Sequence, residues 1–111
     1  MTSNLRNKTC VPCEVGAPKC TDEEIKKYLK EIAVDWDLDT KKSKIVREYT
    51  FKDFKTAINF IDRVAEIAEH EGHHPNISLY NYKHVRLELW THKIGGLHRN
   101  DFILASKIDA L

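Results

Sequence analysis

Apolar side chains recur at the helical period for four turns from residue 54, through Phe54, Ala57, Ile58, Ile61, Val64, Ala65 and Ala68. A stripe of that length commits the segment to an amphipathic helix with one face against other elements. Asp53 is placed to cap its start, and Gly72 and Pro75 to stop it. Upstream, Thr21-Asp22-Glu23-Glu24 reads as a capping box ahead of Ile25, Tyr28, Leu29 and Ile32, predicting a helix to about residue 33. Residues 34–39, with Trp36 and Leu38 alternating against acids, and residues 44–51, with Ile45, Tyr49 and Phe51 on one face, read as a hairpin about the polar turn 40–43. A second hairpin follows at 77–81 and 84–91, with Val85, Leu87, Leu89 and Thr91 on one face and His84, Arg86, Glu88 and Trp90 on the other. Gly95-Gly96 turns the chain into a last helix over 99–110, buried through Phe102, Leu104, Ala105 and Ile108. The order α-β-β-α-β-β-α predicts a two-layer α+β fold, a four-stranded antiparallel sheet with three helices on one face.

At 111 residues the chain has room for one domain, able to bury roughly 65% of its unfolded surface. A net charge of +1 gives no electrostatic reason to expect nucleic acid or an anionic membrane as partner. The apolar runs are short and the first 20 residues have no hydrophobic signal-peptide core, so the chain reads as cytoplasmic, or organellar if a targeting segment has been removed. Residues 1–20 are expected as a flexible arm and 21–111 as the folded domain. Cys10 and Cys13 are spaced C-x2-C, with Cys20 beyond, but no second pair follows at zinc-site distance. Plain thiols are the expectation.

All six histidines lie between His70 and His98, three of them in EHEGHHPN. His70 and His74 are four apart, a spacing that can chelate zinc on a helix, but Gly72 and Pro75 interrupt the helix and no third ligand is evident. No metal is expected. His70, in a last helical turn, suits the negative end of the helix dipole, and His84 and His98 read as solvated turn residues. His73, His74 and His92 sit at element ends, and composition alone leaves them open between polar loop residues and proton carriers.

The spacing of the wider pattern narrows this. Glu69-x3-His73-His74-Pro75, six residues, Tyr82, nine residues, His92, eight residues and Asp101 resembles the signature of the pterin-4a-carbinolamine dehydratases. The resemblance runs from about Trp36 to Asp109 through IVREYTF, FKDFKTAINFIDRVAEIAE, GHHPN, WTHKIGGL and DFILASKID. It implies the same α+β fold and an enzyme, a hydro-lyase that expels water from a 4a-hydroxytetrahydropterin to give the quinonoid dihydropterin, without cofactor. By position it implies His73 and His92 as the acid/base pair, His74 as a residue holding the pterin ring, and Glu69 as a carboxylate orienting an imidazole or raising its pKa. Asp101 matches the family's aspartate, although an acid at the third position of a helix is favourable in any case. Gly72, His73 and His74, with Trp90, Thr91, His92 and Lys93, look like the pterin-binding edges.

Relatives are dimers or tetramers, and Phe54, Phe60, Ile61, Val64 and Ile67 spread apolar surface further round their helix than one sheet face can cover, so a homodimer or homotetramer is expected. Animal members also act as non-catalytic protein partners, which keeps a binding or dimerisation module as the alternative. The sequence departs from the family at His98, where many relatives have a threonine cap, at Trp90, where animal relatives have a small hydroxyl residue, and in a second hairpin one residue longer.

Overall fold

Thr21 and Asp53 start helices as their side chains allow. In a computed structural model describing residues 5–8, 10 and 18–111, the Thr21 hydroxyl accepts the Glu24 amide and the Glu24 carboxylate accepts the Thr21 amide. The Asp53 carboxylate accepts the Thr56 amide in the same way. The elements in chain order are α1 (Asp22–Leu29), β1 (Asp37–Leu38), β2 (Ile45–Thr50), α2 (Phe54–Glu71), β3 (Asn76–Tyr80), β4 (His84–Leu89) and α3 (Arg99–Asp109), with 3₁₀ turns at Leu5–Asn7 and His92–Ile94. This is the α+β order expected from periodicity.

The two hairpins join through their second strands, giving the antiparallel order β1-β2-β4-β3. Register puts Ile45 opposite Leu89 and Tyr49 opposite Val85 across β2 and β4, and Ile77 opposite Leu87 across β3 and β4. Alternation then gathers these side chains on one face. Against it pack Ala57 and Val64 of α2, Ile25 of α1, and Phe102 to Ala105 of α3. Each fully buried Leu, Ile or Phe here contributes about 1.5–3 kcal/mol.

Two expectations need correction. The first strand is two residues long rather than six: Val34 is 93% exposed, and Trp36 instead turns into the core. The cause is distant in sequence, because the Asp109 carboxylate accepts the Ala33 amide and the Trp36 indole N–H, both at 2.8 Å, and pairs with Arg47 at 2.7 Å. Helix α1 ends at Leu29 rather than near 33, although Ile32 is still buried from the turn that follows. In the expected N-terminal arm, the described residues are packed at several points: Leu5 is buried in the core, the Cys10 amide donates to Glu71, and the Cys20 amide donates to the Leu97 carbonyl. Cys13 lies outside the described residues. On α2, Val64 is buried, Phe60, Ile61 and Ile67 are half-buried, and Phe54 stays exposed.

Candidate active site

Helix α2 stops where Gly72 takes the left-handed conformation, φ 65°. A residue with a Cβ is strained there, which is why glycine fits. The amides of Gly72 and His73 both donate to the Ala68 carbonyl, and Pro75 keeps the chain from resuming the helix. His73 and His74 therefore leave the helix end as neighbours on extended chain, and their rings part. His73 Nε2 donates to Asp101 Oδ1 at 2.6 Å, while His74 Nε2 donates to Glu69 Oε2 at 2.6 Å.

Asp101 is held from three directions. Besides His73, it accepts the Thr91 hydroxyl at 3.0 Å and the His98 amide at 2.9 Å, both on Oδ2. The latter bond is half of a capping box at the start of α3, whose other half is His98 Nδ1 accepting the Asn100 amide at 3.0 Å. His98 is thus a working N-cap, not a solvated turn residue and not a lost cap. Burial holds its imidazole below the ordinary value, against the opposing pull of Asp101. The expectation of a solvated turn fails for His84 as well, which lies in β4 with its Nδ1 3.0 Å from the Thr50 hydroxyl and its ring against Tyr80. His70 is in the last turn of α2 and exposed.

The opposite wall comes from the segment after β4. The Thr91 and Gly96 backbones bond to each other, and Gly95 closes the intervening 3₁₀ turn with φ 64°. That turn presents His92 beside Trp90, ring centroids 4.4 Å apart, with the Lys44 ammonium 5.6 Å from the Trp90 ring centre.

Between these walls lies an open cleft of 580 Å³. That is within the roughly 300–1,000 Å³ usual for small-molecule sites. Gly72, His73 and His74 line it on one side and Trp90, Thr91, His92 and Lys93 on the other. Of the residues singled out in the sequence, Glu69 reaches the cleft only through His74, and Asp101 stands behind His73, fully buried. Cys10, Glu71, Asn76 and Asn100 also line the cleft and carry no local signal in the sequence. Burial pushes the Glu71 carboxyl up, but the Cys10 amide and the Lys107 ammonium more than offset it and leave it below its ordinary value. Burial, with the Glu71 charge, pushes the Cys10 thiol up to about 12. Among the described residues, no three of His, Cys, Asp and Glu converge to hold a metal ion, and no helix is long and apolar enough to cross a membrane.

Residues 18–111 match the family model described as pterin 4 alpha carbinolamine dehydratase. A Halorhodospira halophila protein provisionally named for that activity is 47% identical over 109 residues, covering 97% of each chain. The Arabidopsis thaliana protein named pterin-4-alpha-carbinolamine dehydratase 2, mitochondrial, is 42% identical, over 98% of this chain and 59% of its own. Among solved structures, a Brucella melitensis protein described as transcriptional coactivator/pterin dehydratase superposes with a TM-score of 0.76 at 31% identity, over 84% of this chain and 97% of the other. The chain belongs to the pterin-4a-carbinolamine dehydratase family.

Proposed function

We propose that the chain is a hydro-lyase that converts a 4a-hydroxytetrahydropterin to the quinonoid dihydropterin and water, with His73 and His92 as its acid/base pair. The observation that carries this reading is the 2.6 Å bond from His73 to the fully buried Asp101, made at a cleft that His92 also lines. Hydroxide is a poor leaving group. One imidazole delivers a proton to the 4a-oxygen so that it departs as water, and the other collects the proton that N5 releases as the C4a–N5 double bond forms. Imidazole suits both steps because it gains and loses a proton near neutral pH, and each step contributes about 10²- to 10⁴-fold. With its Nε2–H donated to Asp101, His73 keeps Nδ1 for exchange with the substrate. His74 holds the ring, Glu69 orients His74, and the open cleft and half-exposed rims suit a flat heterocycle. Turnover needs no bound cofactor.

The test is a dehydratase assay on freshly generated 4a-hydroxytetrahydropterin. Acceleration over spontaneous dehydration is expected, and a folded chain with no acceleration overturns the reading. The description of the Brucella melitensis relative as transcriptional coactivator/pterin dehydratase favours a second reading, a non-catalytic binding module. A stoichiometric protein partner together with absent activity would establish it. Self-association through the exposed Phe54 end of α2 accompanies either reading, and a monomer in light scattering at micromolar concentration would refute it.

A further inference from the structure

The family model begins at residue 18, yet Leu5 and Cys10 are built into the domain ahead of it. Leu5 is buried at 2% exposure and its 3₁₀ turn packs on α3. Cys10 is fixed at both ends of its own residue: its amide donates to Glu71 Oε1 at 2.8 Å and its thiol to the Asn100 carbonyl at 3.6 Å. Glu71 is itself buried at 2% side-chain exposure, and its other oxygen lies 3.5 Å from the Lys107 ammonium of α3. One carboxylate therefore ties together the end of α2, the last turns of α3 and the N-terminal segment, one residue before Gly72 and two before His73. Further along, the Cys20 amide donates to Leu97, and Lys19 packs so closely on Gly96 that a Cβ there would come within 2.9 Å of it. Lys19 and Cys20 thus brace the turn that carries His92. Cys10, Glu71 and Asn100 all line the cleft that His73 and His92 line.

We propose that the N-terminal strap, the described residues 5–8 and 10, is a substrate-contacting wall of this cleft, with Cys10 as the contact and Glu71 as the residue that positions it. The proposal rests on the pterin reading and deepens it. Cys10 offers a compact, polarisable sulfur, a surface suited to the face or edge of a flat heteroaromatic ring. Burial and the neighbouring Glu71 charge keep the thiol neutral, so it adds no charge beside the histidines.

The experiment uses the full chain with Cys13→Ser and Cys20→Ser, leaving Cys10 as the one thiol, and 7,8-dihydropterin as the probe. Binding is read from quenching of the pterin's fluorescence, and Cys10 is labelled with a maleimide at mildly alkaline pH. Saturating dihydropterin should slow labelling several-fold. Leu5→Ser, which loosens the strap at a distance from the cleft, should speed labelling and weaken dihydropterin binding about tenfold, the scale of one lost pocket contact, while circular dichroism shows the fold retained. Binding with an unchanged labelling rate would overturn the proposal and leave the pterin reading standing. So would a Leu5→Ser chain whose Cys10 labels faster at unaltered affinity. If no dihydropterin binds at all, the pterin reading falls and takes this inference with it.

Discussion

Two neighbouring histidines make the same hydrogen bond in opposite surroundings. His73 meets Asp101 and His74 meets Glu69, each at 2.6 Å, but the first pair is 12% and 0% exposed and the second 60% and 77%. Around Asp101 the charge is screened by fixed donors, the Thr91 hydroxyl and the His98 amide, rather than by water. Such a pair keeps its geometry, and breaking one partner leaves a buried group unsatisfied, costing about 1–3 kcal/mol. An exposed pair competes with water and salt and contributes about 0–1 kcal/mol. Equal distances therefore carry unequal consequences: burial assigns the His73 ring one tautomer and one direction, whereas Glu69 only biases where His74 spends its time.

The largest expected effect is at the buried pair. Asp101→Asn removes the charge that holds the His73 N–H, and kcat should fall about 10²- to 10⁴-fold, with a lower melting temperature because the α3 cap shares that carboxylate. His73→Ala and His92→Ala should each lose a similar factor with the fold intact by circular dichroism. The double variant should lose less than the product of the two, because the pair acts as one unit. At the exposed pair, His74→Ala should raise KM more than it lowers kcat. Glu69→Gln should change either constant by less than about fivefold, the equivalent of 1 kcal/mol. Steady-state kinetics on these variants decides the matter, and a Glu69→Gln loss as large as that of Asp101→Asn would break the comparison. The smallest effect is on pH dependence. The His98 ring is held below its ordinary 6.5, so its contribution as a neutral cap is complete above that value and is lost as pH falls through the lower folded value. The melting temperature of wild type should accordingly drop more between neutral and mildly acidic pH than that of His98→Asn, a cap that does not titrate.

Local chemistry made much of this readable from sequence. Thr21, Asp53 and Gly72 each act through residues three or four away, and all three sit where their side chains or lack of one predicted. Where the decisive partner is remote, prediction failed: Asp109 captures Ala33 and Trp36 from 76 and 73 positions away, turning an apparent strand into a turn. The cleft follows the same rule. Gly72 to His74 and Trp90 to Lys93, which line it, were reached only through the resemblance to the family, whereas Cys10 and Glu71 are 61 positions apart and meet only in the fold. His98 misled because histidine is not among the usual caps; the acid three residues on was the available sign.

Asp101 closes the first turn of α3 and aligns His73 with the same carboxylate. The amide of His98 is therefore a built-in reporter on the cleft. Any molecule that steadies the His73 ring also steadies this bond, so occupancy should slow hydrogen–deuterium exchange at His98 while amides at the far edge of the sheet, on β1, exchange as before. The linkage is reciprocal: fraying at the head of α3, wherever it originates, draws on the same free energy that holds a ligand. Substitutions on the outer surface of that first turn would then register as weaker binding, although none of them touches the cleft.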